Sequence, residues 1–177
     1  MGLALATAAC SGDPTLQRFK SGAWDIEGKI DRVSDKPRYA ASMLTRSRST
    51  KSELFQLELA QLQLLCFDNA PVVYFRFQEK VGSNRNSRLS YRFDQNPGRE
   101  VRVRVLHDLR TIMIEGQDDV VRFVDEMRAS SNLIVQVFSL TEFMSTADFK
   151  VEGAETAIEA AYAGCPLPHV QRHASAE

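Results

Sequence analysis

Three cysteines, three histidines and a run of arginines are the residues in this 177-residue chain whose types and spacing could do chemistry. Cys66 closes the most apolar stretch, which begins at Leu62. Cys165 follows an alanine-rich stretch in which Ala154, Ala157, Ile158 and Ala161 recur at helical spacing. A helix face of such small residues lets the backbone lie close against a sheet and brings the Cys165 thiol to that contact. The expected chemistry is a Cys66–Cys165 disulfide. It would close a loop of roughly 100 residues and be worth at most about 4–5 kcal/mol in the chain-entropy model. The alternative is two buried free thiols that pack as small hydrophobes.

The histidines offer less. His169 and His173 stand four apart, a spacing that binds a metal on a helix. They follow Pro166-Leu167-Pro168 near the end of the chain, where a stable helix is not expected, so no metal site is assigned. His107 precedes Asp108, but a catalytic His–Asp pair is made by placement in space, which adjacency in sequence does not supply. No nucleophile elbow, zinc spacing or glycine-rich phosphate loop is present, so neither a catalytic residue nor a cofactor is assigned.

Arg85, Arg88, Arg92, Arg99, Arg102, Arg104 and Arg110 gather across two expected neighbouring strands. Tyr91 and Phe93 lie among them, which raises a single-stranded nucleic-acid surface as a reading. Both aromatics share parity with Leu89 and should point inward, and acidic residues dilute the charge. A solvated strand face is the preferred reading. A third is a face for an anionic envelope partner, built on Arg88, Arg92, Arg102 and Arg104.

These residues must be positioned by a mainly β chain. Trp24 and Ile26 alternate as a strand, Ile30 to Pro37 is turn-rich, and Tyr39 to Thr45 reads as a second strand. Arg46 to Ser52 reads as a basic, solvated loop. Glu53 to Phe67 reads as a long strand whose apolar parity changes near Ala60-Gln61, predicting a bulge there. Asp68 to Pro71 makes a turn, and Val73, Phe75 and Phe77 face in on the returning strand. Leu89, Tyr91 and Phe93 alternate next. Arg99 to Val105 reads as one half-solvated strand with valines inward. Thr111 to Glu115 and Asn132 to Leu140 are further strands. A helix over 117–129 carries the stripe Val120, Phe123, Val124 and Met127, and a second covers the alanine-rich stretch up to Cys165. Ile112 to Gly116 and Phe149 to Gly153 share a strand–Glu–Gly–helix pattern, a weak internal repeat. The expectation is an α+β domain: a mainly antiparallel sheet or sandwich, with two helices packed in the C-terminal half.

The hydrophobic share (44%) and charged share (25%) are those of one ordinary folded domain, here 23–166, with a flexible tail over 167–177. A net charge of −1 favours neither nucleic acid nor an anionic membrane through the whole-molecule field. No run of about 20 apolar residues is present, so no spanning helix is expected. Residues 1–10 are small and apolar and read as a partial secretory signal, whose charged start would lie upstream. Thr7-Ala8-Ala9-Cys10 resembles a lipobox that departs from the pattern at Thr7, making Cys10 a candidate for lipidation. Residues 11–22 read as a tether. With Cys10 lipidated or removed, Cys66 and Cys165 are the even pair that an oxidising compartment allows.

Trp24, the Leu62-to-Cys66 strand with its hairpin, and the closing Phe149, Val151, Gly153, Ala157, Ile158 and Cys165 together resemble small bacterial envelope proteins. The chain is similar to the accessory lipoprotein of type VI secretion (the VasI/TagO type) and to the invasion-associated locus B family of periplasmic proteins. Either resemblance implies export to the periplasm or outer membrane, a β-rich domain, no cofactor, and a non-enzymatic role in assembly or interaction with an envelope protein. A nucleic-acid-binding module using the Arg85–Arg110 face, or a hydrolase of unrecognised type around His107, is the alternative.

Overall fold

The computed structural model describes residues 16–33, 35–50, 58–81, 88–138 and 144–167. Cys10, Arg85, His169, His173 and most of the terminal tail lie outside the described residues. So do Phe55 and Leu57 of the expected long strand.

Eleven strands and two helices are described. In chain order they are β1 (Leu16–Ser21), β2 (Trp24–Ile30), β3 (Pro37–Ser49), β4 (Glu58–Phe67), β5 (Ala70–Phe77), β6 (Arg88–Phe93), β7 (Arg99–Arg102), β8 (Arg104–Val105), β9 (Thr111–Ile114), α1 (Gln117–Arg128), β10 (Asn132–Phe138), β11 (Met144–Lys150) and α2 (Ala154–Ala161). The α+β expectation holds. All pairings are antiparallel, and the sheet path runs β7-β6-β10-β11-β3-β4-β5-β9-β8, with β2 also on β3 and β1 on β2. The two ends of this path, β7 and β8, are separated in sequence by Val103 alone, so the sheet curls until it nearly closes. The stretch expected to be one strand, Arg99 to Val105, is therefore two. Its first half pairs with β6 and its second with β9. The valine alternation that suggested a single strand persists through the bend, because Val101 and Val105 face the same interior.

Several other elements differ from expectation for identifiable reasons. β3 runs on through the supposed basic loop to Ser49, with Ser47 buried and Arg46 and Arg48 outward. Serine on the inner face hides the strand period. In β4 no bulge exists among the described residues, since its registers with β3 and β5 are unbroken across Ala60-Gln61. The parity signal misled because Leu59 points outward, half exposed, while Glu58 points inward. The turn after β4 is tighter than expected. Asp68 and Asn69 both adopt positive φ (50° and 60°), a two-residue hairpin turn that leaves Ala70 and Pro71 in the strand. Leu16 to Ser21, expected within a tether, pairs along its whole length with β2. The side chains of Gln17 to Lys20 are exposed on both faces and carry no apolar period. The cross-strand ion pairs Arg18–Glu27 and Lys20–Asp25 contribute at most about 1 kcal/mol each, so the backbone ladder holds this strand.

The interior is filled by inward residues of nearly every strand and by α1, whose Phe123 meets Tyr91, Phe93 and Phe75 at centroid distances of 5.0, 5.0 and 5.9 Å. Val120, Val124 and Met127 complete the expected stripe. Asp118 and Asp119 at its start and Arg128 at its end match the helix dipole.

β3 carries two partners on one flank, β2 over Pro37–Ser42 and β11 over Ser47–Ser49. Trp24 sits at the fork between them, fully buried, and its indole N–H donates to the Val151 carbonyl at 3.4 Å. Here two glycines permit a backbone crossing. A Cβ on Gly22 (φ 58°) would lie 2.3 Å from the Glu152 oxygen, and one on Gly153 (φ 83°) would lie 2.6 Å from the Ser21 oxygen. Gly116, its counterpart in the suspected repeat, has φ −64° and no such approach. The two corners use glycine differently, and the repeat has no support in the backbone. Gly153→Ala should therefore lower stability by about 2 kcal/mol or more, from left-handed backbone and clash together. Gly116→Ala should cost less than about 1 kcal/mol. Urea unfolding midpoints of the two variants check this; equal losses would contradict it.

Candidate functional site

Helix α2 presents Ala154, Ala157, Ile158 and Ala161 to the sheet, all buried, as the spacing predicts. The helix stops at Ala161, so Cys165 belongs to the turn that follows rather than to the helix. The helical periodicity carried past the true end because the turn keeps the same side of the chain inward. Cys165 is nonetheless buried, and it is joined to Cys66 with the Cα atoms 5.9 Å apart. Tyr162, not singled out from the sequence, completes this anchor. Its hydroxyl donates to the Val72 carbonyl at 3.0 Å, and near-complete burial pushes its phenol far above the ordinary tyrosine range. Its signal in the sequence was its position four residues after Ile158, on the apolar face.

The arginines separate into groups. Arg88 and Arg102 face each other across β6 and β7, and Arg92 stands two turns of the pleat along β6. Arg104 lies across the seam on β8, where Glu115 takes it at 2.7 Å. Arg99 turns to Glu126 on α1 at 2.5 Å. Glu100 pairs with Arg88 at 3.1 Å, while Arg92 and Arg102 make no ion pair among the described residues. Two arginines that the sequence reading left in a loop, Arg46 and Arg48, join the same outer surface from β3. Strand registers connect them: Arg48, Thr146, Gln136, Ser90 and Glu100 form one continuous outward row over five strands. Tyr91 and Phe93 are 5% and 0% exposed, so the rings that a nucleic acid would stack on lie in the core. Burial first, and then the Glu126 carboxylate, pushes the Tyr91 phenol up to about 12.

His107 is exposed, and Asp108 is committed to its own turn rather than to the imidazole. It accepts from the Arg110 and Thr111 N–H groups at 3.0 and 2.9 Å and from the Thr111 hydroxyl at 2.7 Å. Burial pushes its carboxyl up, but these hydrogen bonds outweigh burial and hold it below the usual range. Among the described residues no group of three His, Cys, Asp or Glu side chains is placed to hold a metal ion, and no helix is long and apolar enough to cross a membrane.

No family model matches this chain, and no curated protein does either. A solved structure does. The crystal structure of invasion associated protein B from Bartonella henselae superposes with a TM-score of 0.54, at 10% sequence identity, over 83% of this chain and 96% of that one. The two share a fold. At this identity the likeness speaks for the fold alone. Of the two family resemblances, the invasion-associated one thus extends to three dimensions, and the type VI one remains a resemblance of residues.

Asp94 ties β6 to β10 by accepting from the Asn132 side chain and from the Ser131 and Asn132 N–H groups, and these bonds lower its pKa from 3.8. A carboxyl depressed in the folded state stabilises above its unfolded pKa, and that stability is lost as pH falls through the folded value. Stability should therefore be level from about pH 8 to pH 5 and fall below about pH 4. Asp94→Asn and Asp108→Asn should each flatten the acid limb, measured as denaturant midpoint against pH. An acid limb unchanged in both variants would contradict the assignment.

Proposed function

We propose that this chain is an exported bacterial envelope protein, periplasmic or lipid-anchored through Cys10, that works by contact rather than by catalysis. The observation that carries the reading is the Cys66–Cys165 pair. It joins two segments 99 residues apart at the foot of α2, and such a link persists in an oxidising compartment. Envelope export also agrees with the small, apolar start and with a fold shared with a protein described as invasion associated. On this reading the near-closed sheet is a rigid frame, and its outer surface meets an envelope partner, in keeping with an accessory role in secretion.

Expression of the full gene product in the native organism, followed by fractionation and non-reducing peptide mapping, tests both halves. The expected result is a processed chain in the envelope fraction, with one fragment joining the Cys66 and Cys165 segments. An unprocessed cytoplasmic chain with free thiols would overturn the proposal and favour the nucleic-acid module. Cys66→Ser or Cys165→Ser should cost about 2–4 kcal/mol in the oxidised protein and little under reductant.

A further inference from the structure

The outer face of β3, β11, β10 and β6 has a charge pattern that the fold itself does not use. On β10, inward Leu133, Val135 and Val137 are fully buried, while Ile134 is half-buried on the outside and Phe138 is 54% exposed. Arg92 is the direct register partner of Ile134 on one side. Two strands away from β10 on the other side stand Arg46 and Arg48. Ile134 and Phe138, with Gln136 between them and Asp148 beside Ile134 on β11, thus lie between two arginine rails about 14–15 Å apart, three strand spacings. Beside Arg92 a shallow groove of about 480 Å³ opens, lined by Ile134, Ser90, Gln136, Arg99 and the acidic Glu100.

The charge on this face is not balanced internally. Arg88 and Arg102 are directly opposed across neighbouring strands, a placement that costs stability unless an anion intervenes. Glu100 relieves Arg88 alone. Asp148 reaches Arg48 at 3.9 Å with both groups largely exposed, which screens most of the attraction. Arg46, Arg92 and Arg102 keep no ion pair among the described residues. Guanidinium groups match phosphate oxygens by paired hydrogen bonds, and exposed apolar side chains between them can enter the boundary below a headgroup layer.

We propose that this face docks on an anionic phospholipid surface, with arginines of β6 and β3 taking headgroup phosphates and Ile134 and Phe138 entering the acyl boundary. The proposal rests on the envelope placement above and names the partner. A nucleic acid fits less well, because one exposed aromatic gives no stacking platform.

Co-sedimentation of the purified, disulfide-intact chain with phosphatidylcholine vesicles, with and without phosphatidylglycerol, tests it independently of export. The chain should partition onto the anionic vesicles only, and the binding should be lost in high salt, where the screening length falls to about 3 Å. Each rail variant, R88Q/R92Q and R46Q/R48Q, should weaken partitioning roughly 25-fold, about fivefold per arginine. R88K/R92K, which keeps the charge and loses the paired hydrogen bonds, should bind between wild type and R88Q/R92Q, which separates charge from fold. Phe138→Ser should weaken binding without changing its salt dependence. Equal binding to both vesicle types, no binding to either, or tighter binding to single-stranded DNA would each overturn the proposal. So would full competition by free glycerol phosphate, which would place the ligand in solution rather than in a bilayer.

Discussion

The backbone crossing at Gly22 and Gly153 is the constraint on which the rest of this domain depends. Two chain segments 131 positions apart approach so closely that neither tolerates a Cβ, and both glycines sit at positive φ. The contact aims β11 into α2, sets the height of α2 over the sheet, and leaves one opening at the fork of β3, which Trp24 fills. Packing alone would let a helix faced with alanine slide, because small side chains interlock weakly. The glycine crossing fixes one end, and the Cys66–Cys165 link with the Tyr162–Val72 hydrogen bond fixes the other. Ala157 and Ala161 then lie buried against β2, β3 and β4, whose inward residues include Trp24, Ile26, Ala41, Met43, Leu62 and Leu64.

A helix held at both ends lets the sheet close around α1. Phe123 occupies the centre of an aromatic cluster drawn from β5 and β6, with Phe149 of β11 reached through Phe75, so the curl of the sheet and the seat of α1 are one packing problem. Near-closure leaves β7 and β8 as short edges at the seam and β1 paired to β2 alone. The surface that remains is convex, built on short ladders with fixed registers.

The sequence made the inner face legible and the outer face hard to read. Alternating Val73, Phe75 and Phe77, or Leu89, Tyr91 and Phe93, declare themselves because large apolar residues recur every second position. The failures all lie where that rule is suspended. Ser47 faces inward between Arg46 and Arg48, Glu58 is buried beside an outward Leu59, and β1 buries little on either face. The split between β7 and β8 was invisible because a bend at Val103 keeps the valine alternation intact. The cysteine pairing was legible from burial and compartment logic. The basic face was legible only in part, since Arg46 and Arg48 reach it through a strand that reads as a loop, and register rather than spacing brings Arg48 level with Gln136 and Ser90.

Native-state hydrogen exchange on the oxidised and reduced protein tests the two-ended clamp most directly. If α2 is held at Gly153 by the backbone crossing and at Cys165 by the disulfide, reduction should speed exchange at the Tyr162 and Cys165 amides and along the last turn of α2. The Ala154 amide, the Trp24 indole and the amides of α1 should keep their protection, because the glycine end does not depend on sulfur. Uniform loss of protection across α1, α2 and Trp24 on reduction would mean that the disulfide alone holds the helix, and would contradict the account.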